Sequence, residues 1–344
     1  MPNAVLTVAI DRLAGREDLS AEEAAAVLRE VMEGSASEAE TAAFLIALRT
    51  KGETVQELTG LARTMRELST RVDSSHHDDL VDTAGTGGGP ATFNVSTTAA
   101  FVAAAAGCRV AKHGNRSSTS QCGSADVLEA LGARIELDPG AVADCIDELG
   151  FGFMFAPRYH AAMKHVVPVR KALGVRTIFN FLGPLTNPAG AKRQVIGVSD
   201  AAYLDTMAAA LAELGATKAL VVSGADGLDE FSVSGPTRVV ELSEGGIQAY
   251  EVTPEDAGLP PHPDGAVRAG TPGENAAVLR SVLEGAQGPE HGLTVLNAGA
   301  AIYVAGGADS LERGARQAEE AIDSGSARAL VDRFVERTRE LAGA

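Results

Sequence analysis

One stretch of the chain combines cationic, proton-carrying and hydroxyl side chains in a pattern that suits an anionic ligand. Lys112, His113 and Arg116 lie close together, and five Ser or Thr residues occupy positions between Ser117 and Ser124. Glycine and hydroxyl neighbours make the segment a poor core element. A lone Lys or His is usually a solvated surface residue, but this cluster offers a lysine point charge and hydroxyl donors to phosphate oxygens.

A second loop, residues 82–89, reads Asp-Thr-Ala-Gly-Thr-Gly-Gly-Gly and precedes the Ser/Thr-rich start of a predicted helix at 94–98. Glycine lets the backbone approach a ligand closely, and the free amides of a helix start favour an anion. Neither common nucleotide motif fits, because Pro90 stands where GxGxxG needs its third glycine and GxxxxGK[ST] is absent from the sequence. Composition alone leaves phosphate binding and a tight structural turn equally open.

Two further segments carry charged side chains next to predicted elements. Asp229 and Glu230 follow an apolar strand at 219–222. Adjacent carboxylates at a strand end suit a hard cation such as Mg²⁺, and an exposed acidic turn is the simpler alternative. Arg170 lies near the end of a predicted helix that also contains His160, where it could bind an anion or cap the helix C-terminus.

The elements that must position these side chains begin with a small helical bundle in the first 72 residues. Apolar residues recur there at helical spacing, and three Ser/Thr-x-x-Glu capping boxes mark helix starts. The expected boxes are Ser20–Glu23, Ser35–Glu38 and Thr54–Glu57. A polar stretch at 73–79 ends this pattern, so a new domain is expected to begin at 73.

From residue 73 onward, short β-branched runs alternate with Ala-rich helical segments, which predicts a parallel or mixed sheet covered on both faces. The expected strands are 80–81, 109–111, 152–155, 195–198, 219–222 and 293–296. The expected helices are 97–106, 125–131, 141–149, 201–214 and 274–283, and 254–272 is expected to be a surface loop. Ligands bind such sheets at the carboxyl ends of the strands, where the candidate loops lie.

Composition limits the function classes. The 344 residues are enough for about two domains. A net charge of 29 − 46 = −17, few aromatic residues and no Trp disfavour nucleic acid and membrane surfaces as partners. Three scattered cysteines without a CxxC pair predict neither a disulfide framework nor a zinc site. No signal peptide or membrane span is recognisable, so we expect a cytoplasmic protein.

Together and in this order, the motifs resemble the anthranilate phosphoribosyltransferases, the enzymes of tryptophan biosynthesis that join anthranilate to phosphoribosyl diphosphate. The resemblance covers nearly the whole chain. It rests on residues 85–88 (GTGG), 94–97 (NVST), 112–116 (KHGNR), 123–132 (GSADVLEALG), 176–180 (RTIFN), 183–188 (GPLTNP) and 226–230 (DGLDE). Each motif alone is weak, whereas the ordered set is specific.

The resemblance implies an α/β fold shared with the pyrimidine nucleoside phosphorylases. A small N-terminal helical domain at 1–72, with a returning segment near 164–187, would lie beside a large α/β domain at 73–344 that has a central mixed sheet. The resemblance also implies a homodimer formed through the helical domains. Small-molecule substrates, anthranilate and phosphoribosyl diphosphate, would be the ligands.

The resemblance further implies roles for individual residues. Phosphoribosyl diphosphate would be bound by Gly85, Gly88, Gly89, Thr92, Asn94, Val95, Ser96, Thr97, Lys112, Asn115, Arg116, Ser117, Ser118, Thr119, Ser120 and Ser124. Anthranilate would be bound by Gly85, Asn115, His160, Arg170 and Gly183, with Arg170 facing its carboxylate. Two Mg²⁺ ions would be held by Ser96, Asp229 and Glu230.

Lys112 and His113 are the catalytic candidates. Ribosyl transfer passes through an oxocarbenium-like state while diphosphate leaves, so Lys112 would neutralise charge on the leaving group. The aryl amine needs little activation once the cation forms, and His113 is the nearest candidate to accept its proton.

The sequence departs from the family pattern at three places. Gly89 stands where the family has Asp, Ala161 replaces a usual Pro, and the loop between Gly89 and Asn94 is slightly short. Gly89 removes a carboxylate beside the diphosphate and metal, which leaves open a paralogue with another aromatic acceptor. The remaining alternatives are a pyrimidine nucleoside phosphorylase-like enzyme and a non-catalytic, nucleic-acid-binding relative of the fold.

Overall fold

The computed structural model describes residues 1–117 and 121–343. The helices are α1 (Ala4–Ala14), α2 (Ala21–Met32), α3 (Glu38–Lys51), α4 (Val55–Glu67), α5 (Val95–Ala105), α6 (Ser124–Leu131), α7 (Pro139–Leu149), α8 (Ala156–Tyr159), α9 (Val167–Leu173), α10 (Phe179–Leu185), α11 (Leu204–Glu213), α12 (Pro272–Leu283), α13 (Pro289–Ala305), α14 (Leu311–Asp323) and α15 (Ser326–Gly343). The strands are β1 (Leu80–Gly85), β2 (Arg109–Gly114), β3 (Phe151–Phe155), β4 (Arg193–Gly197), β5 (Lys218–Gly224), β6 (Thr237–Ser243) and β7 (Gly246–Val252).

The N-terminal helices begin where hydroxyl and carboxylate side chains satisfy free amides. The capping boxes predicted at Ser20–Glu23 and Thr54–Glu57 are confirmed at the starts of α2 and α4. The box predicted at Ser35–Glu38 is wrong, because Ser37 and Glu40 form it and place the start of α3 two residues later. Both pairs have the same spacing, so the sequence could not separate them.

The chain returns to these helices after β3. After a 3₁₀ helix at Ala161–His165, α9 and α10 bring apolar side chains such as Val169, Phe179 and Leu182 into the apolar cluster that contains α1 to α4 and also one face of the sheet with α11. The single helix predicted through His160 and Arg170 is therefore interrupted, with His160 preceding the 3₁₀ turn. This is the part of the chain, near 164–187, in which the family resemblance implies a returning segment.

The larger unit is built on one seven-stranded sheet with the order β3-β2-β1-β4-β5-β6-β7. The first five strands in this order are parallel, and β6 and β7 extend the sheet in antiparallel fashion, which makes it mixed as predicted. The hairpin of β6 and β7 was not predicted. Its outer strand is largely exposed, so it lacks the apolar run that marked the buried strands.

The strand predicted at 293–296 is wrong. These residues lie within α13, whose side chains are buried on nearly every side against β1, β4, β5 and neighbouring helices. A helix enclosed in this way loses its polar face, and a short apolar run does not distinguish it from a buried strand.

The strand order reverses between β1 and β4. The chain proceeds from β1 outward through β2 and β3 on one side and from β4 through β5 on the other. In such sheets the loops at the carboxyl ends of the two central strands diverge and leave a crevice, which is the usual ligand site. Here those loops are the glycine loop after β1 and the segment after Gly197 of β4.

Candidate functional site

The glycine loop and the acidic turn meet at this crevice. Gly85 and Gly197 are register neighbours on β1 and β4. A Cβ on Gly85 would lie 2.5 Å from Asp229 Oδ2, and one on Gly197 would overlap the Asp229 backbone. The two glycines therefore make room for Asp229, whose Oδ2 accepts a hydrogen bond from the Gly87 amide at 2.7 Å. The glycine loop and the acidic turn, which are far apart in the sequence, therefore form one wall of the crevice.

Lys112 reaches the same crevice from the carboxyl end of β2. Its side chain is buried, and Nζ donates to the Thr83 backbone oxygen and to Ser96 Oγ at 3.2 Å. Burial lowers the pKa of Lys112, and the carboxylates of Asp82 and Glu230 oppose that shift. The ammonium is thus fixed between the start of α5 and two acidic side chains, where it can face an anion at the glycine loop.

Asp229 and Glu230 place two neighbouring carboxyl groups at the crevice, with Lys112 and Arg176 as nearby cations. Burial and the neighbouring Asp229 raise the pKa of Glu230 to about 8, against the opposing effects of Lys112 and the Ser96 amide. Burial also raises the pKa of Asp229. In the described part of the chain no three His, Cys, Asp or Glu side chains cluster as a complete metal site. Mg²⁺ typically binds one or two carboxylates together with substrate phosphates, so Ser96, Asp229 and Glu230 fit a metal that a phosphate ligand completes.

Two buried histidines lie side by side beyond Lys112. The ring centroids of His113 and His160 are 5.1 Å apart. His113 Nδ1 lies 3.2 Å from the Gly183 carbonyl oxygen, which fixes the proton on Nδ1. Burial lowers the pKa of His113 to about 3 and that of His160 to about 4, so both rings are neutral near pH 7. Both Nε2 atoms are buried without a partner among the described residues, and His113 Nε2 is left as a lone-pair acceptor.

Arg170 supplies a cation from α9. Its guanidinium carbon lies 5.6 Å from the centre of the Phe179 ring, and no carboxylate pairs with it in residues 1–117 and 121–343. Burial lowers the pKa of Arg170 without preventing its protonation near neutral pH. A cation next to an aromatic face, with its charge uncompensated, suits an aromatic carboxylate.

The remaining residues of the Lys112–Ser124 loop form a separate polar group at the start of α6. Ser124 Oγ accepts from the Asn115 amide at 3.1 Å and donates to the Asn115 carbonyl at 3.2 Å. Arg116 pairs with Asp126 at 2.7 Å and Glu129 at 2.6 Å, and these carboxylates raise its pKa. Its charge is therefore engaged away from Lys112. Ser117 lies beside this group, and its amide donates to Asp126. Ser118, Thr119 and Ser120 lie outside the described residues.

The start of α5 forms the floor next to the glycine loop. Asn94 accepts a hydrogen bond from Asn275 Nδ2 at 2.9 Å and donates to the Cys122 carbonyl. Thr97 Oγ1 is buried without a partner in the described chain, whereas Val95 packs into the core. Thr92, on the loop before the helix, donates through Oγ1 to the Phe93 carbonyl at 3.0 Å.

Gly89, the position that departs from the family pattern, packs on the acidic turn. A Cβ there would lie 2.5 Å from the Gly227 carbonyl oxygen and 3.3 Å from Asp229 Oδ1. Pro90 lies beside Gly227 as well. Gly89 thus lies close to the backbone of the acidic turn, and any side chain at position 89 would require the loop to move.

Sequence reasoning assigned no role to the polar groups that support the site. Asp82 is fully buried and accepts from the His113 amide at 3.2 Å and from Asn187 Nδ2 at 2.8 Å. Asn187 also donates to the Ala111 carbonyl at 2.8 Å, which ties the end of the returning segment to β2. Both residues belong to segments that the sequence singled out, but only their burial reveals a supporting role. Buried polar groups of this kind fix one arrangement when fully bonded.

Arg176 and Ser199 are two further residues that the sequence did not assign. Arg176 Nη1 donates to Ser199 Oγ at 2.9 Å, and Ser199 Oγ donates to the Gly87 carbonyl at 3.0 Å. Five of the eight unpartnered buried side-chain atoms in the described chain belong to this region. They are on Thr97, His113, His160, Arg176 and Thr177. Since buried polar groups are normally bonded, this concentration marks a ligand site.

Comparison with known proteins agrees with this architecture. The family model "Glycosyl transferase family, helical bundle domain" matches residues 7–69, and "Glycosyl transferase family, a/b domain" matches residues 77–328. The fold and the site thus define a glycosyltransferase with a helical bundle and an α/β domain. No helix among the described residues has the length and apolarity needed to cross a membrane.

Individual relatives narrow the class. An anthranilate phosphoribosyltransferase of Rubrobacter xylanophilus is 54% identical over 98% of this chain and 99% of its own. The crystal structure of the Thermus thermophilus enzyme is 47% identical, with a TM-score of 0.91 over 96% and 99% of the two chains. The Saccharomyces cerevisiae enzyme in complex with PRPP (phosphoribosyl diphosphate) and Mg is 29% identical, with a TM-score of 0.90 over 98% and 99%. The chain belongs to the anthranilate phosphoribosyltransferase family.

Proposed function

We propose that the protein transfers the phosphoribosyl group of 5-phosphoribosyl 1-diphosphate to the amine of anthranilate. The products are N-(5-phosphoribosyl)anthranilate and diphosphate, and the reaction belongs to tryptophan biosynthesis. Anthranilate phosphoribosyltransferases match this chain along nearly its whole length, and the chain has the same fold as the solved enzyme of Thermus thermophilus.

One observation supports the proposal, namely that Lys112 beside the start of α5 and His113 against the Gly183 carbonyl are consecutive residues of β2, so a candidate donor half-site and a candidate acceptor half-site adjoin. On one side, Lys112, Asp229 and Glu230 surround the glycine loop and suit a diphosphate with Mg²⁺. On the other, His113 and Arg170 lie on or against the returning segment and suit an aromatic amine with a carboxylate. A donor and an acceptor of these chemistries would be held next to each other, which is the main requirement of a transferase.

The residues support a simple sequence of bond changes. The C1′–O bond to diphosphate breaks, the C1′–N bond to the amine forms, and the amine loses one proton. Lys112 lies where it can neutralise charge on the departing diphosphate. His113 Nε2 is neutral and has no partner among the described residues, so it can accept the proton, since an N-alkylated aryl ammonium is acidic enough for a weak base.

Magnesium belongs to this proposal. A Mg²⁺ ion supplies positive charge that stabilises the leaving diphosphate. The relative solved with PRPP and Mg supports its use, and Ser96, Asp229 and Glu230 are the residues that would hold it. We propose two ions per site, because the two carboxylates are adjacent and a diphosphate offers oxygens to both.

The activity is tested by following the fluorescence of anthranilate on addition of phosphoribosyl diphosphate and Mg²⁺ to purified protein. We expect a fluorescence loss that needs all three components, with substituted benzoates acting as competitors. Incubation with thymidine and phosphate is the control for phosphorylase activity. Release of thymine without any effect on anthranilate would contradict the proposal.

We also propose a homodimer formed through the helical domain. Its outer surface exposes apolar side chains on helices that pack on one another, including Val5 and Val8 on α1, Ile46 on α3 and Val167 on α9. Exposed apolar groups grouped on one unit are typical of protein contact surfaces. Sedimentation equilibrium should give twice the monomer mass, and a monomer at micromolar concentration would contradict the dimer. The cytoplasmic location expected from the sequence stays a prediction.

A further inference from the structure

Arg176 connects the helical domain to the glycine loop. It lies between α9 and α10 in the returning segment, and its backbone carbonyl accepts a hydrogen bond from Arg49 Nη1 of α3 at 2.9 Å. Its side chain extends to the α/β domain, where Nη1 donates to Ser199 Oγ. The residue is therefore fixed at its backbone by one domain and at its guanidinium by the other.

The guanidinium lies directly over the glycine loop. Gly88 has φ +91°, a conformation that favours glycine, and a Cβ on it would overlap Arg176 Nη1. The absence of a side chain at Gly88 thus leaves the space that the guanidinium fills. The positive charge of Arg176 also lowers the pKa of Asp229, in opposition to burial, which places the charge near the acidic turn.

One nitrogen of Arg176 has no acceptor in the part of the chain that the structure describes. Nη2 is buried without a hydrogen-bond partner among the described residues, and the adjacent Thr177 Oγ1 is in the same state. A buried guanidinium N–H without an acceptor is costly, and proteins retain such groups where a ligand completes them. The missing acceptor must be compatible with the charge of Arg176, and an anionic oxygen satisfies this condition.

We propose that Arg176 is a substrate-binding residue that donates through Nη2 to a phosphate oxygen of phosphoribosyl diphosphate. This inference rests on the proposed function. The position over Gly88 favours the donor substrate, because the glycine loop is the donor half of the site, whereas Arg170 already supplies a free cation for the acceptor carboxylate. Donor binding would then link the helical and α/β domains through a single side chain.

The test compares Arg176→Gln and Arg176→Lys with the matched variant Ser199→Ala. Ser199→Ala removes the acceptor of Nη1 and leaves the guanidinium in place. Arg176→Gln should raise the KM for phosphoribosyl diphosphate about tenfold or more and change that for anthranilate less than about threefold. Arg176→Lys should lie between wild type and Arg176→Gln, since it keeps the charge but loses the planar fork.

Three results would overturn the inference. A rise confined to the anthranilate KM would assign Arg176 to the acceptor. Equal effects of Arg176→Gln and Ser199→Ala would show that Arg176 only holds the loop through Ser199. Unchanged KM values for both substrates in both Arg176 variants would exclude a role of Arg176 in binding. If Arg176→Gln does not fold, the KM values of Arg176→Lys decide this point.

Direct binding separates this inference from the proposed function. Titration calorimetry of phosphoribosyl diphosphate with Mg²⁺ is carried out on wild type and Arg176→Gln without anthranilate. Tight wild-type binding and about tenfold weaker variant binding support both proposals. Equal binding by the two proteins refutes the role of Arg176 alone, and no binding by wild type refutes the proposed function together with it.

Discussion

Substitution of Arg170 by Ala should weaken anthranilate recognition selectively. The guanidinium is half-buried against Phe179 and pairs with no carboxylate in the described chain, so its full charge is available to a ligand. A hydrogen bond to a charged group contributes about 1.5–3 kcal/mol. At 1.4 kcal/mol for each factor of ten, the KM for anthranilate should rise about 10- to 150-fold.

The same substitution should affect folding little. No buried carboxylate loses its partner, and the lost contact with the Phe179 ring is worth about 1 kcal/mol. For a chain of this size, that corresponds to a Tm decrease of about 2 °C or less. Initial rates are measured by anthranilate fluorescence with each substrate varied in turn. Lys171→Ala, an exposed neighbour on the same helix, is the matched control and should match wild type. A larger rise in the KM for phosphoribosyl diphosphate than for anthranilate would refute the assignment.

Other regions of the site give three further expectations. Asp229→Asn/Glu230→Gln should weaken the apparent Mg²⁺ affinity about tenfold or more in a metal titration of the rate, and an unchanged curve would exclude both carboxylates as ligands. Gly89→Ala and Gly89→Asp should both raise the Mg²⁺ concentration needed for activity, because the added Cβ of either variant displaces the acidic turn. If only Gly89→Asp changed this requirement, the charge of the new side chain would be the cause and the steric argument would be wrong. Because the pKa values of His113 and His160 are depressed in the folded protein, the unfolded chain binds more protons than the folded one between about pH 4 and 6.5. The free energy of unfolding should therefore fall on acidification through that range, by about 1.4 kcal/mol per pH unit for each histidine. Denaturant unfolding at several pH values measures this slope, and a slope unchanged in His113→Gln/His160→Gln would contradict it.

Much of the fold follows from local signals in the sequence. Capping boxes at Ser20 and Thr54 mark helix starts because hydroxyl and carboxylate satisfy amides within a single turn. The strands that are buried on both faces were found from their apolar runs. The apolar run at 293–296 was wrongly predicted as a strand because α13, which contains it, is enclosed by its neighbours. The outer strand β7 was not predicted because its side chains are exposed. Both errors come from tertiary surroundings that local pattern does not contain.

The candidate site was likewise predicted in part from local sequence, whereas its tertiary contacts were not. The sequence singled out Lys112 because its glycine and hydroxyl neighbours make a poor core segment. It singled out Asp229 and Glu230 because adjacent carboxylates at a strand end suit a hard cation. It could not show that Asp229 packs against Gly85 and Gly197, since both contacts join residues of separate segments and the one to Gly85 spans more than a hundred residues. It included Arg176 in the 176–180 motif but gave it no role, because its significance lies in one buried nitrogen that has no partner among the described residues.

The central claim is that the crevice at the end of β1 and β4 joins one diphosphate donor to one aromatic amine. The most direct measurement is the amount of diphosphate released per anthranilate consumed by purified protein with phosphoribosyl diphosphate and Mg²⁺. We predict a ratio of one to one, with N-(5-phosphoribosyl)anthranilate as the product detected by mass spectrometry. Diphosphate release that leaves anthranilate unconsumed, or no reaction by the folded protein, would contradict the account.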